Sequence, residues 1–313
     1  MTNHSPFKDA AAYTAGKYVP MSEARISVLD WGFTRSDAVY DVVHVVDKKF
    51  FRLADHINRF EHSMAARRLD IGMSRQEIET VLHNVVSLSE LSDAYVGMVA
   101  LRGQSRIPGS RNPKDCDNHL LAYAVPWIDV ITKDMQDRGA RLWISDHPRV
   151  PDASVDPTVK NYQWSDLTSG LFDAYDQGYD TAVLCDADGI VTEGPGFNLF
   201  VVKVGRVCTP DRGVLRGITR ATVMELCAEL GIPCQVVAMD REQLHTADEV
   251  FVTSTAGGIM PIGEVSGNPT LNTPGGPVFR KIHDAYWRAH QSGRHVTPVR
   301  PRGIETLLPA QPA

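Results

Sequence analysis

The sequence predicts an α+β chain of two domains. Three observations carry this. The length of 313 residues suits two domains of ordinary size, each with its own core. Apolar runs of strand length do not alternate regularly with helical ones, which argues against a doubly wound parallel sheet. A largely polar stretch, Asp129 to Arg138, follows one strand and precedes another. The first domain is therefore expected over residues 1–125, a linker over 126–139 and the second domain over 140–291.

Residues 1–16 read as a loose lead-in, and Ile26-Ser27-Val28-Leu29 as a strand broken by Asp30-Trp31-Gly32. Val39 to Val46 is a second apolar run, and Asp47-Lys48-Lys49 turns it into Phe50-Phe51-Arg52 as a hairpin. Leu53, Ile57, Phe60 and Met64 recur at helical spacing. Ser74 with Glu77 is a capping box, and it opens a helix carrying Ile78, Val81, Leu82 and Val85. Tyr95 to Leu101 and His119 to Val125 are expected strands around the loop Gly103 to Pro113. In the second half, Thr181 to Cys185 with Ile190 to Glu193 forms one hairpin across Asp188-Gly189. Phe197 to Val202 with Arg206 to Thr209 forms another. A helix from about Thr219 to Leu230 is closed by Gly231 and Pro233. Glu249 to Thr253 is a strand, and Val278 to His290 a closing helix. Residues 292–313, with four prolines and few apolar side chains, are expected to be a flexible tail.

Composition narrows the function classes. Hydrophobic residues make up 43% and charged residues 22%, as in a globular protein. A net charge of −6 speaks against nucleic acid or an anionic membrane as partner. No apolar run approaches the roughly 20 residues of a membrane span. Met1 to Ala15 has no basic region followed by an apolar one, so no signal peptide is expected. Five cysteines without a CxxC pair argue for reduced thiols in a cytoplasm, and against disulfides or a zinc site. No metal site is expected. His56 and His62 read as ordinary helix residues. The absence of GxGxxG and of a Walker lysine removes nucleotide cofactors as a first expectation.

The chemistry centres on Val159-Lys160-Asn161-Tyr162-Gln163-Trp164, behind the stiff Asp156-Pro157. A lysine among Val, Tyr and Trp loses part of the hydration of its ammonium group, which favours the neutral, nucleophilic amine. Such an amine can form an imine with an aldehyde, and pyridoxal 5'-phosphate (PLP) is the candidate cofactor. PLP also needs a carboxylate beside its pyridine nitrogen and a cradle for a phosphate dianion. Glu193, before the tight Gly194-Pro195-Gly196, is the candidate carboxylate. Leu215-Arg216-Gly217-Ile218-Thr219 places glycine and hydroxyl at a helix start, where backbone N–H groups bind anions. Ser254-Thr255-Ala256-Gly257-Gly258 supplies a second small-residue turn, and Arg59 a cation. Each has a blander reading. Glu193 alone suits a solvated strand end, Thr219 a helix cap, and Arg59 a partner for Glu61 or Asp55.

In this order the stretches resemble the class IV, branched-chain-aminotransferase-like PLP enzymes of fold type IV, over roughly residues 20–290. The resemblance implies Lys160 as the catalytic lysine and proton shuttle, and Glu193 as partner of the pyridine nitrogen. It implies Arg59, Ile218, Thr219 and Thr255 at the phosphate and Leu215 against the ring. It further implies a homodimer with active sites at domain and subunit boundaries. Within the family the chain is most similar to (R)-selective amine transaminases, through Ser36-Asp37-Ala38-Val39-Tyr40, the Asp156–Trp164 stretch and Phe197 in Gly196-Phe197-Asn198. Branched-chain enzymes usually carry glutamate at the Phe197 position and arginine at the Gly97 position. Loss of that fixed cation favours a donor with an apolar or aromatic large group, and a keto acid such as pyruvate as acceptor in a ping-pong cycle. Tyr40, Tyr95, Trp164, Phe197 and Ala256 are candidate pocket residues; the aromatic ones also read as core. The amine transaminases carry a mobile arginine in the loop after Leu101, and here Arg106 and Arg111 are both candidates. The alternatives are a D-amino-acid or branched-chain aminotransferase, a PLP lyase of the aminodeoxychorismate type, and a non-catalytic PLP-binding protein.

Overall fold

A computed structural model of the chain describes residue 7, residues 10–271 and residues 274–301. It divides into two compact units. The first takes the described residues up to Ile128, the short piece Val159–Tyr162, and those from His295 onward. The second takes Asp129–Thr158 and the described residues of Gln163–Arg294.

The first unit is built on a seven-stranded sheet. Its strands are β1 (Ala11–Thr14), β2 (Lys17–Pro20), β3 (Ala38–Val46), β4 (Lys49–Phe51), β5 (Ala94–Leu101) and β6 (His119–Pro126), with the last strand of the chain, β14 (Val296–Pro298). The order is β14-β4-β3-β5-β6-β1-β2, antiparallel throughout. One face carries Val39, Val43 and Val45 of β3 with Val96, Met98 and Ala100 of β5, and packs in one core with apolar side chains of α2 (Leu53–Ala66) and α3 (Arg75–Ser89). Alternation along the strands sends Tyr40, His44, Tyr95 and Tyr123 to the opposite face. A four-residue helix, α1 (Trp31–Thr34), precedes β3.

The second unit holds another seven-stranded sheet, in the order β11-β10-β9-β12-β13-β7-β8. Its strands are β7 (Ala140–Pro148), β8 (Thr181–Cys185), β9 (Asn198–Lys203), β10 (Arg206–Pro210), β11 (Cys234–Val237), β12 (Glu249–Ser254) and β13 (Gly258–Val265). The β10–β11, β13–β7 and β7–β8 pairs are parallel. Its helices are α4 (Lys133–Arg138), α5 (Ser165–Asp176), α6 (Ile218–Glu229), α7 (Arg241–His245) and α8 (Pro277–Gln291).

Several expectations need correction. Residues 11–14 of the supposed lead-in form β1, because Ala11–Tyr13 pairs with β6. Ile26–Leu29 is a loop, and Val28 and Leu29 are 72% and 66% exposed. The tail expected from residue 292 contains β14, whose Thr297 and Val296 pair with Phe50 and Phe51; residues 302–313 of that expectation lie outside the described residues. The expected linker includes helix α4 and straddles the unit boundary at Ile128. The units are also not contiguous in sequence: Lys160, expected in the second domain, clusters with the first. The cause is local pairing, since Tyr40 N donates to Lys160 O at 3.0 Å and Val39 bridges Asn161. Among the described residues, no helix is long and apolar enough to cross a membrane.

Candidate active site

Lys160 is held from both sides in the first unit. Its backbone N–H donates to Ser63 Oγ of α2 at 3.2 Å, and the preceding Val159 is buried in the core beneath the sheet. The side chain is half-buried. Lys160 Nζ donates to Tyr40 Oη at 3.3 Å and lies 4.3 Å from the centroid of the Tyr40 ring. An electron-rich ring face and a hydroxyl are partners for an ammonium group. The surroundings of Lys160 are thus less apolar than its sequence neighbours suggested. Tyr40 in turn stacks on Tyr162, with centroids 4.5 Å apart and planes 10° from parallel.

Tyr95 and Tyr123 continue this wall, with rings stacked at 6.3 Å. Burial, reinforced by neighbouring phenols, raises the Tyr95, Tyr123 and Tyr162 hydroxyls above the ordinary tyrosine range, so they are neutral donors and acceptors at physiological pH. Gly97 is the cross-strand partner of Tyr123. A Cβ at Gly97 would lie 2.4 Å from Tyr123 Cζ. The tyrosine ring therefore fills the space that a side chain at position 97 would need.

Arg59 forms a two-point ion pair with Asp41. Its Nε donates to Asp41 Oδ2 at 2.7 Å and its Nη2 to Asp41 Oδ1 at 2.8 Å. Asp55 takes Arg52, and Glu61 takes Arg75. His56, read from sequence as an ordinary helix residue, is buried, with Nδ1 2.8 Å from Asp41 Oδ1. Burial would push the Asp41 carboxyl up, but Arg59 and His56 outweigh it and hold it far below the usual range. Burial pulls His56 down against the pull of Asp41. The imidazole is then neutral, and Nδ1 carries the proton it donates. The sequence signal for this cluster was a lone carboxylate in the apolar run Val39 to Val46.

In the second unit Glu193 is not a solvated strand-end residue. It is 7% exposed, and Arg149 Nη2 donates to its Oε1 at 3.0 Å. Its Oε2 accepts from Leu215 N at 2.8 Å and Asn198 Nδ2 at 3.4 Å. Arg149 Nη1 also donates to Asp166 Oδ2 at 2.5 Å. Burial works against the Arg149 charge, but the two carboxylates prevail and raise the guanidinium further. The same pairing, with the Val150 amide, overcomes burial at Asp166 and lowers its carboxyl. Arg149 and Asp166 escaped the sequence reading, because Arg149 lies 17 and 44 residues from its two partners with no shared motif, and Asn198, though it closes the stretch begun by Glu193, was given no role of its own.

Leu215 is half-buried, and its carbonyl accepts from Gly217 N at 2.8 Å and from Asn198 Nδ2 at 2.9 Å. Helix α6 begins at Ile218, one residue before the expected start, with Gly217 as N-cap and no side-chain cap. A Cβ at Gly217 would lie 2.0 Å from Asn198 Oδ1, so a side chain there would displace the Asn198 amide. The first N–H groups of any helix lack intrahelical partners, and here no cap satisfies them. Thr219 is buried in that turn. At the end of β12, Thr253 Oγ1 is a buried hydroxyl without a hydrogen-bond partner among the described residues. It precedes the Ser254–Gly258 turn, where Ser254 Oγ accepts from Ala256 N at 3.1 Å and Thr255 is half-buried. Ala256 is buried, and its carbonyl accepts from Val130 N.

The remaining pocket candidates separate. Trp164 is half-buried against Leu167, Ala174 and Leu184. Phe197 is 4% exposed in the core of the second sheet. Arg106 is engaged on its own loop, 3.3 Å from Asp117 and donating to the carbonyls of Asp115 and Lys114. Arg111 is exposed on the same loop.

Residues 38–265 match the family model for amino-transferase class IV. The chain belongs to the class IV aminotransferases. This class IV aminotransferase is 31% identical over 277 residues to a putative branched-chain-amino-acid aminotransferase of Methanocaldococcus jannaschii, covering 88% of this chain and 94% of that relative. It is 27% identical over 281 residues to the branched-chain-amino-acid aminotransferase of Escherichia coli, covering 87% and 90%. The solved T.th. branched-chain amino acid aminotransferase with pyridoxamine 5'-phosphate aligns at TM-score 0.85 and 27% identity, over 93% of this chain and 98% of that one. The branched-chain aminotransferase of Thermoproteus uzoniensis, solved with norvaline, aligns at TM-score 0.82 and 27% identity, over 93% and 99%. The fold is therefore fold type IV, α+β in two parts, and the enzyme is a PLP-dependent transaminase. The residues present fit that cofactor: a helix start without a side-chain cap beside a closely approached glycine, an orphaned buried hydroxyl and a buried carboxylate held by three donors.

Proposed function

We propose that this class IV aminotransferase takes its amino group from (R)-configured primary amines with an apolar or aromatic large substituent and passes it to a keto acid such as pyruvate. The single observation that carries the reading is the wall beside Lys160. Tyr40, Tyr95 and Tyr123 make it from aromatic rings and hydroxyls, and Tyr123 occupies the volume where branched-chain enzymes usually carry a carboxylate-binding arginine. An apolar donor loses nothing by the absence of a fixed cation, whereas an α-carboxylate does.

PLP, when bound, supplies the aldehyde that takes up the amino group and the ring that accepts the electron pair of the donor carbon. Lys160 Nζ holds the cofactor between turnovers, removes the proton from the donor carbon and returns it on the cofactor side. Tyr40 Oη orients Nζ during that transfer. Arg59, the Ile218 and Thr219 turn and Thr255 hold the phosphate, Leu215 packs on the ring, and Glu193 faces the pyridine nitrogen. Because Arg106 is engaged by its own loop, the carboxylate of the keto acid falls to Arg111. Val28, Leu29 and Phe33, at 72%, 66% and 64% exposure, give the first unit an apolar patch suited to a second copy, in keeping with a homodimer.

A second reading has specific support. The relatives named above are branched-chain enzymes, which favours L-branched-chain amino acids as donors. A half-reaction decides. Holoenzyme is mixed separately with (R)-1-phenylethylamine, its (S) enantiomer, D-alanine and L-leucine, and the visible absorbance of the bound cofactor is followed. Rapid bleaching by the (R)-amine is expected, and none with Lys160→Ala. Bleaching chiefly by L-leucine establishes the branched-chain reading instead.

A further inference from the structure

Arg149 lies between two carboxylates and is itself 8% exposed. Its Nη2 meets Glu193 Oε1 at 3.0 Å and its Nη1 meets Asp166 Oδ2 at 2.5 Å. Asp166 is fixed in turn by the backbone N–H of Val150 on Oδ2 and of Leu167 on Oδ1, both at 2.8 Å. Arg149 Nε has no acceptor among the described residues, so the two ion pairs set where the guanidinium points. The other cations in this region are turned elsewhere. Arg220 donates to Thr209 Oγ1 and to Pro210 O, and Arg216 is exposed.

Two carboxylates on one guanidinium leave the cluster one negative charge. A protonated pyridine nitrogen facing Glu193 would supply the missing positive charge. A buried ion pair of that kind can also relax to a neutral pair, with the proton moved from nitrogen to carboxylate, because burial penalises both charges. Which form prevails depends on how strongly the carboxylate is held as an anion. Guanidinium does not give up its proton, and every donor on Glu193 favours its ionised form.

We propose that Arg149, clamped by Asp166, is a positioning residue that keeps Glu193 ionised and so keeps the shared proton on the cofactor's ring nitrogen. This rests on the reading that Glu193 faces that nitrogen. It makes the strength of the electron sink depend on a residue two steps from the reacting carbon.

The test uses holoenzyme reconstituted with PLP carrying 15N in its ring, with the nitrogen resonance as readout. The parent enzyme should show the protonated-pyridine position. R149Q should move the signal toward the unprotonated position, R149K should restore it, and D166N should move it part of the way. E193Q checks the underlying reading and should move it fully. If E193Q leaves the signal in place, Glu193 is not the ring partner and both readings fall. If E193Q moves the signal while R149Q and D166N do not, only the role of Arg149 is overturned. Should R149Q fail to fold, D166N decides: a shifted signal supports the role, and an unmoved one overturns it.

Discussion

Arg59 grips Asp41 with two nitrogens at once, at 2.7 Å and 2.8 Å, in a place where the carboxylate is fully buried. His56 adds a third donor to the same carboxylate. Such a fork fixes the plane of the guanidinium and therefore the direction of its remaining donors. Asp41→Asn removes the buried charge that Arg59 grips. The expected loss of stability is about 3–5 kcal/mol, the usual cost of breaking a buried pair. Urea unfolding of the two proteins measures it, and an unchanged midpoint would show that Arg59 finds another anion.

The collision distance of 2.0 Å between a Cβ at Gly217 and Asn198 Oδ1 gives a sharper expectation. Asn198 also touches Glu193 and the Leu215 carbonyl, so Gly217→Ala should disturb both of these proposed cofactor-binding residues through one methyl group. PLP affinity should fall roughly tenfold, equivalent to about 1.4 kcal/mol. Titration of apoenzyme by absorbance reads it directly.

Tyr40→Phe keeps the ring under Lys160 Nζ and deletes only the hydroxyl at 3.3 Å. A hydrogen bond of this kind is worth about 1 kcal/mol, so the single-turnover rate should fall roughly fivefold with little change in donor KM. Tyr40→Leu, which also removes the ring face, should lose more.

The two loop arginines should separate by KM. Arg111→Ala is expected to raise KM for pyruvate roughly tenfold while leaving KM for an uncharged amine unchanged. Arg106→Ala should do neither, since its guanidinium is engaged by Asp117 and two carbonyls. A pyruvate effect confined to Arg106→Ala would transfer the role.

His83 supplies the pH dependence. Its ring is buried edge-on to Phe50, Nδ1 accepts from Arg300 N at 3.0 Å, and Nε2 has no partner among the described residues. Burial, helped by the Arg300 charge, pulls it down to about 4. Its value in an unfolded chain is near 6.5. Between these values the unfolded chain binds a proton that the folded chain refuses, so stability declines as pH falls from about 6.5 toward 4. His83→Gln keeps an acceptor for Arg300 N without titrating. Its unfolding free energy should be less sensitive to pH across that window, as denaturation at pH 7 and pH 5 would show.

Much of the fold was legible because local signals were strong. The Ser74–Glu77 capping box starts α3 as expected. The turn after β9 joins it to β10 as expected, whereas Ile190 to Glu193, expected as the second strand of a hairpin, makes only an isolated bridge between Val191 and Cys185. What failed depended on distant partners. β1 and β14 are short and carry little pattern of their own; they are strands only because β6 and β4 offer free edges. Conversely, Ile26–Leu29 has strand composition but gains no partner strand. The site divides the same way. Lys160, Glu193 and the Gly217 turn were readable from residue type and order. Asp41 was hidden inside an apolar run, and Arg149 carried no motif at all. Its importance comes from where two carboxylates 17 and 44 residues onward are brought by the fold.

Residues Val159–Tyr162 belong by their contacts to the first unit, while the chain on both sides belongs to the second. A gene joined from two parents at a single point near residue 128 would therefore inherit Lys160 from one parent and its supports, Tyr40 and Ser63, from the other. Lineages that exchange these halves by one crossover near residue 128 separate the reactive amine from the residues that aim it, and two further junctions, enclosing the four codons of Val159–Tyr162, are needed to reunite them.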